Sequence, residues 1–398
     1  MKFEEKIKEF KDQRVLLLQG PIGPFFNKFA RKLRSLNAEV FKLNFNGGDK
    51  IFYPFKAHAY LGKLQAFRHF IKHFFTEHKI NTLIVYNDCR PLHRIAIKVA
   101  RRMNVKIYVF EEGYLRPNFI TLEKDGVNAN SKIPRDKEFY LGYLSKCSNQ
   151  KNKSIKGAFK IMAFYAFLYW LFAFLMGWHY NNRLHHRTLN PLEVFPWIRS
   201  LYRKIIYHFS EKKLCEDILE NKKKYFVAVL QVFNDTQILT HYKNKSIEKF
   251  IEDTLISFAK NARDKHFLVF KHHPMDRGYK NYSHLIKNLC ERYQLQNRVF
   301  YVHDIHLPTL LNGALGCVSI NSTVGISALY HNCPLKVCGE AFYDITGLTY
   351  QGKLDFFWKE SHANRPSNQL YVNFKNYLLD TNQINGNYYK SCFLNNFK

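Results

Sequence analysis

Four short stretches gather side chains able to move protons, hold an anion or attack an electrophile. Glu111-Glu112-Gly113 sets two carboxyls side by side. A carboxyl in a cleft can be tuned to act as a general acid or base, whereas the same pair on an open turn is only an acidic surface. Asp235 closes the run Leu230-Gln231-Val232-Phe233-Asn234. Lys271-His272-His273-Pro274 joins a cation and two imidazoles, a set that suits an anionic group; the plainer reading is a solvated basic turn. Asn321-Ser322-Thr323 precedes a helical pattern. Free backbone N–H groups, the helix dipole and hydroxyl donors favour a phosphate there, although an ordinary helix cap uses the same residues.

Each of these stretches follows a short apolar run that reads as a buried strand. The runs are Arg14–Leu18, Val40–Phe45, Thr82–Tyr86, Lys106–Phe110, Tyr225–Leu230, Phe267–Phe270, Arg298–Val302, Leu315–Ile320 and Pro334–Cys338. Pro274 cannot continue a central strand, so the chain turns there. Helical spacing fills the gaps, as in Ile247, Phe250, Ile251, Leu255 and Phe258. Alternation of this kind implies parallel sheets, which bind ligands at the carboxyl ends of their strands. The loop containing Gly20 lacks both G-x-G-x-x-G and the P-loop lysine. Backbone alternation sends one of Glu111 and Glu112 into a cleft and the other away, and the sequence leaves open which. The fold expected is α/β and GT-B-like, with two Rossmann-like domains facing across a cleft. The boundaries expected are 1–145, 146–222 as a basic and aromatic helical linker, 223–350, and 351–398 packing back on the first domain.

The formal net charge is +29. Nucleic acid, an anionic membrane surface or an acidic small substrate would each answer such a charge. No nucleic-acid-binding motif accompanies it. The eight cysteines form no C-x-x-C pair, so zinc and redox motifs are not expected. Met1–Lys6 is charged and has no apolar signal region, which points to the cytoplasm. Residues 161–178 carry no charge and reach the length of a transmembrane candidate. If Glu112 and His273 share a site, a simple span is excluded. An interfacial or re-entrant helix flanked by cations then fits, with a buried interdomain helix and, without a shared site, a true span as the alternatives.

The chain resembles bacterial capsular polysaccharide synthesis and export proteins of the KpsS/LipB type. The resemblance rests on residues 16–27, 45–49, 88–93, 111–117, 176–180, 230–235, 271–278, 320–329 and 347–352, in collinear order over nearly the whole chain. It implies a retaining β-Kdo transferase that uses CMP-Kdo to begin the Kdo linker on a phosphatidylglycerol-type lipid. The place implied is the cytoplasmic face of the inner membrane, as a peripheral protein alongside other capsule synthesis and export proteins. By the same resemblance Asp235 is the nucleophile and Glu112 the acid/base. His273, Ser322 and Thr323 hold the CMP side in domain 223–350. Lys271, Gln231, Asn321, Glu111, Arg116 and Gly20 complete the expected substrate-binding set. A single phosphate, His, Lys and helix N–H groups need no metal, and the chain contains no Asp-x-Asp. No cofactor is expected beyond the donor CMP-Kdo, and no nucleic acid partner. A non-catalytic export or assembly component is the alternative.

Overall fold

A computed structural model describes residues 3–145, 158–180, 184–185 and 191–390. Most of the basic runs expected on either side of the apolar stretch lie outside the described residues. Among the described residues twelve strands occur: β1 (Arg14–Leu17), β2 (Glu39–Asn44), β3 (His58–Ala59), β4 (Thr82–Tyr86), β5 (Lys106–Glu112), β6 (Phe119–Lys124), β7 (Tyr225–Val229), β8 (Phe267–Lys271), β9 (Val299–Val302), β10 (Gly316–Ser319), β11 (Leu335–Val337) and β12 (Gln383–Asn385). The long runs of the sequence all became strands. β3, β6 and β12 were not expected, being short or mixed in polarity.

The chain divides into two compact units: residues 1–132, 145–191 and 378–398 in the first, and 133–144 and 192–377 in the second. The first has a sheet of order β12-β6-β5-β4-β1-β2-β3. Its β3, β2, β1, β4 and β5 run parallel, while β6 and β12 pair antiparallel. Side chains alternate between its faces. Leu16, Leu83 and Val109 join one buried cluster, and Leu17, Ile84 and Phe110 the other.

The second unit has an all-parallel sheet, β11-β10-β7-β8-β9. Trp358 anchors its core edge-on against Phe226 and Phe258, with centroids at 5.0 and 5.2 Å. The indole N–H donates to Ser257 Oγ at 2.8 Å. Counting strands within each unit, both parallel portions have the order 3-2-1-4-5. That is the doubly wound Rossmann order without its sixth strand. The α/β class with parallel sheets therefore holds.

The unit boundaries differ from those expected from sequence. Stretch 146–222 divides, because its helices belong to different units. The Ala158–Leu175 helix lies on the short Gly47–Phe52 helix of the first unit. A Cβ on Gly47 would stand 2.1 Å from Phe172 O, and one on Gly48 2.6 Å from the Tyr169 ring. Only glycine permits that approach. The Val194–Ser210 helix docks instead on the second unit. The tail divides likewise: the Leu354–Glu360 helix packs on Ile247–Asn261, whereas β12 extends the first sheet through β6.

Gly47→Ala should cost on the order of 2 kcal/mol, because backbone rather than a yielding side chain fills the space. Urea unfolding with limited proteolysis of the Ala158–Leu175 helix would show it. Unchanged stability and unchanged cleavage would mean that the close contact is not maintained in solution.

Candidate active site

In both sheets the strand order reverses between the first and fourth strands, and loops leaving the sheet there diverge to opposite faces. In the second unit those strands are β7 and β10. Gln231, just past β7, is buried and spans the gap. Its Nε2 donates to Asn321 Oδ1 at 3.0 Å and to Asp235 Oδ2 at 3.1 Å. Its Oε1 accepts the Asn321 backbone N–H at 3.2 Å. Asp235 Oδ1 accepts the Gln237 N–H at 2.9 Å and so caps the Thr236–His241 helix. The Asp235 carboxylate is therefore fixed from two directions. Asn321 Nδ2 has no protein partner among the described residues.

The turn after β8 lies beside this bridge. Alternation along the strand sends His272 inward and leaves His273 partly exposed. Burial holds the His272 imidazole down to about 3, with the neighbouring His303 adding to the effect, so it stays neutral and uncharged. The Tyr301 hydroxyl lies 2.6 Å from its Nδ1. His273 Nδ1 accepts the Met275 N–H at 3.2 Å, which places the proton of a neutral ring on Nε2. Asp276 Oδ2 accepts the Phe233 N–H at 3.2 Å and ties this turn to the Asp235 loop.

Lys271, expected in the substrate-binding set, is turned toward the backbone. Its ammonium is buried and donates to the carbonyls of His303 (2.5 Å) and His272 (3.2 Å). Burial first, and Arg277 next, bring it down to about 8. It serves to close the ends of β8 and β9. Ser322 Oγ accepts the Val324 N–H at 3.2 Å, and Thr323 begins the Val324–Tyr330 helix. Those residues form the cap that the sequence offered as the plainer reading.

The first unit repeats the pattern between β1 and β4. Arg90 is buried, lies 4.8 Å over the Tyr86 ring and donates through Nη1 to Gly20 O at 3.4 Å. Tyr86 hydroxyl donates to Glu112 Oε1 at 3.0 Å. Glu111 Oε2 accepts from Asn87 Nδ2 (2.9 Å) and Asn128 Nδ2 (3.2 Å). Burial raises Glu111 to about 7; the Glu112 N–H opposes the shift, and the Glu112 charge adds to it. Arg116 is exposed, its Nε donating to Gly113 O at 3.3 Å. Thus Glu111 and Glu112 come together in one unit, and Gln231, Asp235, His273, Asn321, Ser322 and Thr323 in the other.

A family model described as capsule polysaccharide biosynthesis protein matches residues 81–389. The chain is 40% identical over 388 residues to the capsule polysaccharide export protein KpsS of Escherichia coli, covering 95% of this chain and 97% of that one. The chain belongs to the capsule polysaccharide biosynthesis family. It is also 40% identical over 395 residues to the capsule polysaccharide modification protein LipB of Neisseria meningitidis serogroup B, covering 97% and 94%. Among solved structures it is similar to Thermosulfurimonas dismutans KpsC, a beta Kdo 2,7 transferase. That likeness has 14% identity, a TM-score of 0.41 and coverage of 91% and 89%.

This member of the capsule family holds its rims with residues that sequence reasoning passed over. Tyr86, Asn87 and Asn128 orient the Glu pair, and Tyr388 donates to Glu111 O at 2.5 Å. Asp49 accepts from Gln19 (3.2 Å), the Phe45 N–H (2.9 Å) and the Tyr169 hydroxyl (2.9 Å), locking the apolar helix to the rim. The Phe-Asn-Gly-Gly-Asp stretch at 45–49 carried that signal, and it contributed to the resemblance without a role.

Glu111 gives a pH prediction. In the unfolded chain it ionises near 4.5, in the folded chain near 7. Between these values the unfolded state holds fewer protons, so stability falls as pH rises. Glu111→Gln should remove that fall, gaining on the order of 1–3 kcal/mol relative to wild type between pH 5 and pH 8. Parallel pH profiles in a urea titration would count against a Glu111 that stays protonated in the folded chain.

Proposed function

We propose that this protein transfers Kdo from CMP-Kdo to a phosphatidylglycerol-type lipid, with retention, as a peripheral enzyme at the cytoplasmic face of the inner membrane. One observation carries the reading: the Asp235 carboxylate is fixed by Gln231 and the Gln237 N–H where β7 and β10 diverge. Retention is most simply achieved by double displacement through a carboxylate nucleophile and a second carboxyl acid/base. In the first step an Asp235 oxygen bonds to the anomeric carbon as CMP leaves. His273 Nε2–H and the N–H groups around Ser322 and Thr323 receive the phosphate, and the Asn321 amide supplies a further donor. In the second step the lipid hydroxyl attacks that carbon, frees Asp235 and gives its proton to a carboxylate.

Glu112 is the acid/base expected from the family resemblance. A second assignment, Glu111, is favoured by its raised pKa, since a carboxyl near 7 both gives and takes a proton at neutral pH. The export name of the Escherichia coli relative favours a different function, a non-catalytic assembly component.

Asp235→Asn separates the functions. Asn caps a helix about as well as Asp, so the fold should persist. Transfer from CMP-Kdo to phosphatidylglycerol, followed by mass spectrometry, should drop by about 10³-fold or more. Full turnover by the variant would remove Asp235 as nucleophile. No product from wild-type protein would favour the assembly role.

A further inference from the structure

The Val194–Ser210 helix is docked by its polar side. Trp197 Nε1 donates to the Tyr279 hydroxyl at 3.2 Å, Arg199 Nε to Gly278 O at 2.6 Å, and Arg203 Nη1 to Arg277 O at 2.9 Å. Tyr207 stacks on His303 at 3.8 Å. Just past the helix, Glu211 accepts the backbone N–H groups of His303 and Asp304 at 2.7 and 3.1 Å. A Cβ on Gly278 would lie 2.0 Å from Pro196 O, so helix and turn meet backbone to backbone.

The opposite side is apolar and, among the described residues, exposed. Phe195, Ile198, Leu201, Tyr202, Ile205 and Phe209 recur at helical spacing, and each is between 55% and 73% exposed. A surface helix ordinarily turns such a stripe inward. A continuous exposed stripe of this size marks a surface that something covers. Lys204 lies among these residues, and Lys212 and Lys213 follow at the end of the helix, all exposed. The formal charge of +29 decides the occupant. A second copy would bring the same lysines and the same excess charge to the contact, whereas an anionic bilayer offers both an apolar layer and the opposite sign.

We infer that the outward face of the Val194–Ser210 helix lies in the interface of an anionic membrane. This deepens the proposed function and rests on it for its purpose. The helix is bonded to residues 277–279, so it would hold the His273 turn at a fixed height over the lipid. It is a surface on the second unit, whereas the aromatic Ala158–Leu175 helix belongs to the first.

The test uses the full chain and sedimentation with vesicles of phosphatidylcholine, with or without phosphatidylglycerol. Wild-type protein should bind the anionic vesicles more tightly, and salt should weaken the binding. Ile198→Ser, Leu201→Ser and Ile205→Ser together should weaken it by about tenfold or more with the thermal midpoint unchanged. As a milder probe, Leu201→Trp should add fluorescence that brominated acyl chains quench. Equal binding to neutral vesicles, undiminished binding by the triple variant, or no quenching overturns the inference. So does loss of self-association in the triple variant with vesicle binding intact, which would name a second copy as the occupant. Vesicle binding without any Kdo transfer supports this surface and counts against the transferase reading alone.

Discussion

Where two parallel strands part company, something must hold their loops together, and in this protein a single primary amide does so. Gln231 uses both of its polar atoms across the β7/β10 divide, and it is buried while doing so. An unpaired amide in that position would carry a desolvation cost, so the bridge specifies one arrangement of Asp235 and Asn321. The first unit solves the same problem with a cation. Arg90 spans from the β4 loop to the β1 loop, with Tyr86 beneath its guanidinium. The adjacent carboxyls are then oriented from the same scaffold.

Charge near these rims is not the same thing as charge available to a ligand. Lys271 and Lys42 are both buried, both donate to backbone carbonyls, and burial brings both down to about 8. They close loops. His272 is kept neutral by burial, while its neighbour His273 stays at the partly exposed end of the turn. A basic motif read as one unit thus divides into two structural residues and one rim residue.

The central strands were legible because apolar runs that end in Gly, Pro or Asn have few other solutions in a folded chain. The rim positions of Glu111, Asp235 and His273 followed directly from those ends. β6 and β12 were not legible, because their pairing joins residues more than 250 positions apart and a mixed three-residue strand has no local signature. Tyr86 and Asn87 read as the tail of a strand; their partners come from another strand, which no spacing reveals. The Val194–Ser210 helix shows the sharper limit. Its periodicity is plain, but periodicity identifies a stripe without saying what lies against it, and here the polar side faces the protein.

The glycine contact under the Ala158–Leu175 helix has a consequence for how this chain can vary in length. Gly47 meets the backbone at Phe172, and Gly48 meets the Tyr169 ring, whose hydroxyl is bonded to Asp49. One residue inserted between positions 169 and 172 would turn everything beyond it by about 100° and bring different atoms onto the glycines. Insertions and deletions in the middle of that helix are therefore not tolerable, whatever their hydrophobicity.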